Sequence, residues 1–235
     1  MFFNRLKISF IINLALSIVS LSVQGAHMST GPFDQQNLDI DAINQNCYDH
    51  RYLLWDRFPF ADILPAWIIA YHSPCLGDRA LDIGSGTGRL AKWLQDQGFE
   101  VLCLDPSPQM CRLCRDKGLT CLQMTVQSYQ DKPASFSLVL AILSLIHVPK
   151  KEWQEQLDKI AALLKPNGFF LLAVIEGRTE GVEERASGYP RFFAHYTRTE
   201  IKQMTEAKFE VLNFKAVSGP SSDYLLFALK KRAGA

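Results

Sequence analysis

Glycines recur at alternate positions in the run ALDIGSGTGRLA, as Gly84, Gly86 and Gly88, with an acid, Asp82, just ahead of the first. Ala80, Leu81 and Ile83 read as a buried strand, and Leu90, Ala91 and Leu94 carry a helical spacing. Glycines between a strand and a helix let the backbone approach a ligand with no Cβ in the way. The first amides of the helix then face that gap and favour an anionic group such as a carboxylate or phosphate. These residues therefore suit the holding of a nucleotide-like cofactor. A second acid, Asp105, ends the apolar run from Val101 about 20 residues later, where a ribose diol is held in dinucleotide-binding folds. The dinucleotide fingerprint needs a third glycine where Arg89 stands, so that helix and strand pack closely. Here the extra glycine comes one residue early, which argues against a nicotinamide-dependent dehydrogenase.

Other candidates for chemistry follow later in the chain. His147 comes just after an apolar run, and imidazole titrates near neutrality, so it is the candidate general base. The alternative is that it bonds to backbone and orients its loop. Glu176 closes the next apolar run and is a candidate for substrate contact, for a cap, or for pairing with Arg185. Arg191, His195 and Tyr196 lie in or near a polar insert, and an arginine there suits a carboxylate or oxyanion. Cys111 and Cys114, with Cys103 and Cys121 nearby, sit in a helical pattern with no histidine to complete a metal set. They read as free thiols, with no metal site.

The elements that must position these residues alternate. Residues 39–71 are helical in pattern, broken at Pro59 and Pro65. After the glycine loop a helix runs to about Gln97, stopped by Gly98. Strands follow near 99–104, 119–124, 136–142 and 169–175, with a helix after Pro106-Ser107-Pro108 and another opened by Pro149 and ended by Pro166-Asn167-Gly168. A polar insert over 176–191 leads to a helix over 199–207 and two last strands near 209–217 and 224–229. The pattern predicts an α/β fold, a doubly wound, seven-stranded, mostly parallel sheet with one antiparallel edge strand. Ligands in such sheets bind at the carboxyl ends of the strands, which nominates the loops 84–88, 105–110, 125–128, 141–147 and 176–196.

The G-x-G-x-G loop after Asp82, the acid at Asp105, and the later segments SLIHVP (Ser144–Pro149), LLKPNG, VIEG and RFFAHYT resemble class I S-adenosylmethionine-dependent methyltransferases. The likeness includes small-molecule members of tellurite-resistance type and covers roughly residues 45 to 217. It implies a Rossmann-like fold and S-adenosyl-L-methionine as cofactor. It implies a cofactor pocket of Asp82, Gly84, Ser85, Gly86, Gly88, Asp105, Pro106, Met110, Thr125, Val126 and Ala141. Asp82 would meet the cofactor's amino group, or cap the glycine turn. Residues 39–72 would form a helical lid, bringing Tyr48 and Tyr52 over the substrate. The chain departs from the family pattern at Ser137, where an acid is usual, at Thr125, often an Asp near the adenine, and at Asn167, usually glycine. Asparagine can also take a left-handed turn.

Methyl transfer from a sulfonium is an in-line displacement in which the protein mainly supplies position. The expected reaction is transfer to a small-molecule acceptor, with His147 as base and Tyr48, Glu176 and Arg191 as substrate contacts. A non-catalytic cofactor-binding protein, or a protein or lipid acceptor, is the alternative. Net charge is +1 over 235 residues, with no clustered basic face, which argues against a nucleic-acid substrate. With 48% hydrophobic residues the chain can bury one core, so 28–235 is read as one domain, acting as a monomer or homodimer. Arg5 and Lys7 precede an apolar run from Ile8 to Val23, laid out like a secretory signal or short anchor. Six cysteines without a pairing scheme, and a cofactor made in the cytoplasm, favour instead a cytoplasmic enzyme starting near Met28. Export or anchoring through residues 8–23 is the alternative.

Overall fold

The computed structural model describes residues 39–55, 60, 62–71, 78–184 and 187–234. The expectations for residues 1–27 lie outside the described residues. Helices α1 (Ile40–Arg51) and α2 (Leu64–Tyr71) precede β1 (Arg79–Ile83), α3 (Arg89–Asp96), β2 (Glu100–Leu104), α4 (Pro108–Asp116) and β3 (Thr120–Leu122). The second half holds β4 (Phe136–Ile142), α5 (Trp153–Leu163), β5 (Leu164–Ile175), β6 (Glu180–Glu184), β7 (Pro190–Ala194), α6 (Arg198–Thr205), β8 (Phe209–Ser218) and β9 (Asp223–Lys231).

Seven strands form one sheet in the order β3-β2-β1-β4-β5-β9-β8. The pairs from β3 through β5 are parallel, and β9 runs against both β5 and β8. The antiparallel strand thus belongs to the edge pair, with β8 outermost. Both faces are covered, as an almost wholly apolar parallel strand requires. Val139, Phe170, Leu172 and Phe227 pack with Trp153, Leu157 and Ile160 of α5 on one face. On the other, Leu138, Leu140 and Leu171 pack with Leu64, Leu90 and Leu94. Alternate residues of one strand serve opposite cores, which is the period of two expected of β structure.

Local signals set most boundaries. α3 stops where Gly98, at φ +95°, lets the Phe99 amide reach Leu94 and its own amide reach Gln95, a paired C-terminal cap. Ser107 accepts from the Met110 amide at 3.1 Å to start α4, with Pro108 in the first turn. Asn167 takes the left-handed conformation at φ +62°. Two expectations change. α5 ends at Leu163, before Pro166, because Leu164 and the residues after it already lie in β5. The polar insert is a two-stranded antiparallel ribbon, β6–β7, whose ladder satisfies the backbone that a bare loop would leave to water. Among the described residues no helix is long and apolar enough to cross a membrane.

Gly88 shows how closely α3 and α4 approach. Its φ is +76°, and a Cβ there would stand 2.7 Å from Leu119 Cδ1 and 2.8 Å from Cys114 Sγ. Gly88→Ala is expected to cost about 2–4 kcal/mol, from the left-handed conformation and the overpacking together. Urea unfolding measures it, and a variant as stable as the parent would show that the two helices do not meet there.

Candidate active site at the switch point of the sheet

The strand order reverses between β1 and β4, and the crevice at their carboxyl ends is where such sheets take ligands. The loop after β1 reaches the loop after β4 because Gly84 has no side chain. A Cβ on it would collide with Ser144 Cβ. Leu143, beside Ser144, holds a left-handed φ of +57° while its amide bonds to Ala173 at 2.9 Å. Strain of this kind persists only where surrounding contacts over-determine the backbone.

Asp105 joins two of the loops. One carboxylate oxygen accepts from the Gly86 amide at 2.8 Å and the other from the Ser107 amide at 2.9 Å. Burial raises its pKa to about 7 despite those two amides, which pull it down. Asp82 is buried beside it, and no hydrogen bond to its carboxylate forms among the described residues. Burial, with Cys114 and Asp105 adding to it, pushes Asp82 up to about 8. The glycine turn is therefore capped by Asp105, and Asp82 faces the crevice. Cys111 and Cys114 back the same loops, donating to the carbonyls of Asp105 and Gly86 at 3.2 Å each. All five described cysteines are buried free thiols.

These groups open on a cavity of about 700 Å³. Asp82, Gly84, Ser85, Gly86, Asp105, Pro106, Met110, Thr125 and Val126 line it. Gly88 and Ala141 do not. Gly88 is taken up by helix packing, and Ala141 is fully buried in β4, so Ile142, Leu143 and Ser144 form that wall.

Tyr48 and His147 also line the cavity, and they are bonded to each other. His147 Nδ1 lies 2.7 Å from the Phe192 carbonyl, which can only accept, so Nδ1 carries the ring proton. Nε2 is then an acceptor, and the Tyr48 hydroxyl donates to it at 2.6 Å. His147 is thus bonded to backbone, and that bond turns its Nε2 to Tyr48. Arg191 Nη1 donates to the same hydroxyl at 3.2 Å, with its guanidinium over the rings of Tyr48 and Phe193 at 5.5 and 4.7 Å. Burial raises the Tyr48 pKa, and Arg191 pulls it back.

Two expected substrate contacts lie elsewhere. Glu176 is exposed, its amide tied to Asp223, and it is absent from the cavity wall. Arg191 is buried behind Tyr48 and does not reach the cavity. The cause is the ribbon: β7 packs against α1, where Asn44 Oδ1 takes the Phe192 amide at 2.9 Å. His195 turns to Thr179 and Glu183, and Tyr196 packs on Trp153. In place of the insert, the turn Val217–Pro220 and Tyr224 line the cavity, with Asp41, Asn44 and Phe60. A signal for that turn existed. β8 is parallel to the central strands, so its end lies on the binding edge, and Gly219-Pro220 marks a tight turn.

Residues 80–168 match the family described as a methyltransferase domain. The chain is 32% identical over 189 residues to the ubiquinone biosynthesis O-methyltransferase of Xanthomonas oryzae pv. oryzae (strain PXO99A), covering 72% of this chain and 75% of that protein. The chain belongs to the class I S-adenosylmethionine-dependent methyltransferases. Against the protein of the same name from Xylella fastidiosa (strain 9a5c), identity is 32% over 114 residues, and the match spans 46% of each chain. The fold of this methyltransferase is shared with a Burkholderia thailandensis 1,6-didemethyltoxoflavin-N1-methyltransferase crystallised with 1,6-didemethyltoxoflavin and S-adenosylhomocysteine. The TM-score is 0.67 at 21% identity, covering 90% of this chain and 99% of that one.

Asp82 carries a pH-dependent cost in this methyltransferase. The folded chain keeps a proton there up to about pH 8, whereas the unfolded chain releases it near pH 4. The group therefore takes away stability progressively as pH rises between those values. Asp82→Asn is expected to raise the melting temperature at pH 8 by roughly 5 °C more than at pH 5. An equal gain at both would mean that Asp82 is not buried as an acid.

Proposed function

We propose that this chain transfers the methyl group of S-adenosylmethionine to a hydroxyl oxygen of a small, largely apolar acceptor. The observation that carries the reading is one cavity lined both by an unpaired buried carboxylate beside a glycine loop and by a tyrosine–histidine pair. Asp82 fits an ammonium group, since a cation beside it offsets the burial that otherwise keeps its carboxyl protonated. Gly84 and Gly86 leave the backbone open to the methionine part. Asp105 suits the ribose diol, each oxygen keeping a lone pair beyond the amide it accepts. Met110, Thr125 and Val126 suit the adenine. Bound there, the cofactor supplies an activated methyl group, and the protein's work is orientation and exclusion of water.

The acceptor class follows from the remaining wall. Phe60, Leu143, Val148, Val217 and Pro220 are apolar, and the buried Arg191 is not offered to a substrate anion. The O-methyltransferase names of the relatives point to oxygen as well. His147 Nε2 is the final acceptor of the hydroxyl's proton. Helices α1 and α2 serve as the lid, because α1 brings Tyr48 to the cavity. Buried free thiols and the cofactor's source support a cytoplasmic site of action.

Calorimetry with S-adenosylhomocysteine, followed by labelled-methyl transfer to catechol and alkylated phenols, tests the proposal. Micromolar binding with label on oxygen is expected. Binding without transfer to any hydroxyl, or transfer to amines instead, would overturn the reaction proposed. Asp105→Ala should weaken S-adenosylhomocysteine by about 10–100-fold, the worth of hydrogen bonds to a charged group. Protonation removes an acceptor from Asp105 and the charge from Asp82, so wild-type affinity should fall as pH drops from about 8 through about 7. A flat profile between pH 5.5 and 8 would remove Asp105 from the ribose site.

A further inference from the structure

We propose that Tyr48 is the catalytic residue that takes the proton from the acceptor hydroxyl while passing its own proton to His147, with Arg191 as the positioning residue behind it. The inference rests on the reading above that the acceptor is an oxygen nucleophile.

Both nitrogens of His147 are engaged. Nδ1–H donates to the Phe192 carbonyl at 2.7 Å, and Nε2 accepts from the Tyr48 hydroxyl at 2.6 Å. An acceptor in the cavity therefore meets the Tyr48 oxygen, because the histidine lone pair is already covered by it. The step balances as a double proton shift. The acceptor O–H bond breaks and its proton joins Tyr48 Oη. The Tyr48 O–H bond breaks in the same motion and its proton joins His147 Nε2. The acceptor keeps the electron pair that forms the new bond to carbon, and the ring becomes an imidazolium. Tyrosine and imidazole both end with full valence, and solvent later takes the proton from the ring.

The surroundings hold this pair in register. α1 presents Asn44 and Tyr48 one turn apart on the same face. Asn44 fixes the Phe192 amide, the Phe192 carbonyl fixes His147, and His147 meets Tyr48. The four residues close a ring of polar contacts, so the hydroxyl cannot leave the imidazole without breaking it. Arg191 donates to the Tyr48 oxygen at 3.2 Å and cannot take a proton itself. It favours negative charge developing on that oxygen, whereas burial and the charges of Asp105 and Cys47 oppose it. Arg191 thereby acts through Tyr48, in keeping with its position away from the cavity wall.

The test combines spectroscopy with kinetics on the full chain. In protein labelled with ¹⁵N-histidine and bound to S-adenosylhomocysteine, His147 is expected as the Nδ1–H tautomer, with its Nε2 resonance shifted by an incoming hydrogen bond. Tyr48→Phe keeps the ring packing and should move the Nε2 resonance toward that of an uncovered lone pair. It should also lower kcat on catechol by about 10²-fold, the typical worth of general acid–base catalysis, with S-adenosylhomocysteine affinity within twofold of wild type. Arg191→Lys, which retains the charge but loses the fork, should fall between wild type and Tyr48→Phe in kcat. A proton found on Nε2 in wild type overturns the relay whatever the activity. The expected tautomer with kcat retained in Tyr48→Phe overturns it too, and leaves the proposed reaction standing. If label goes only to amines, the oxygen reading fails by itself, and the tautomer still decides whether Tyr48 is paired as described.

Discussion

The grip of two backbone amides on the Asp105 carboxylate is the contact around which the cofactor half of this protein is arranged. Gly86 and Ser107 lie on loops that follow different strands, and one side chain ties them together. Ser107 in turn caps α4 and donates to Asp49 of α1 at 2.5 Å. A single buried acid thus connects the glycine loop, the start of the next helix, and the helix that covers the cavity. Its burial raises its pKa to about 7, so the group, like Asp82, takes away stability as pH rises toward that value. The proposed site lies where the isolated chain is electrostatically least comfortable, a common cost of built sites.

α1 makes the second connection. Its polar residues do three separate things within little more than one turn: Asn44 holds the ribbon, Tyr48 faces the cavity and His147, and Asp49 meets Ser107. A helix that meets the domain through specific polar contacts is held in one orientation, whereas an apolar stripe alone tolerates sliding. The ribbon β6–β7 serves the site from behind. It supplies Arg191 and the Phe192 carbonyl to residues that line the cavity, and contributes no wall of its own. Changes in the ribbon would reach the cavity through Tyr48 and His147. The turn between β8 and β9 contacts the cavity directly, so the two segments reach it by different routes.

Much of this was legible in the residues themselves. The glycine loop, Asp82 and Asp105 identify a cofactor site because only a few residue types permit close backbone approach, and these must occur at fixed offsets in the chain. Strand and helix periods likewise announce β4, α3 and α4, since burial on one or two faces leaves a local repeat. Ala141 and Gly88 lie off the cavity wall because sequence gives proximity to a loop, not which side of the backbone faces the crevice. Glu176 and Arg191 lie off that wall for a different reason. A polar insert looks like a substrate loop, and nothing local announces that its strands pair with each other and pack on a helix far earlier in the chain.

The sequence by itself determined the class of fold, the strand-to-helix turn that lines the cavity, and the acids beside it, because each depends on neighbours within a few residues. Tertiary structure alone decided that Tyr48, His147 and Arg191 form one connected set, and that the Val217–Pro220 turn closes the cavity. Those contacts join residues as many as 143 positions apart. Their hydrogen bonds are set by how the ribbon and α1 pack, and packing across such distances leaves no periodic mark in the sequence.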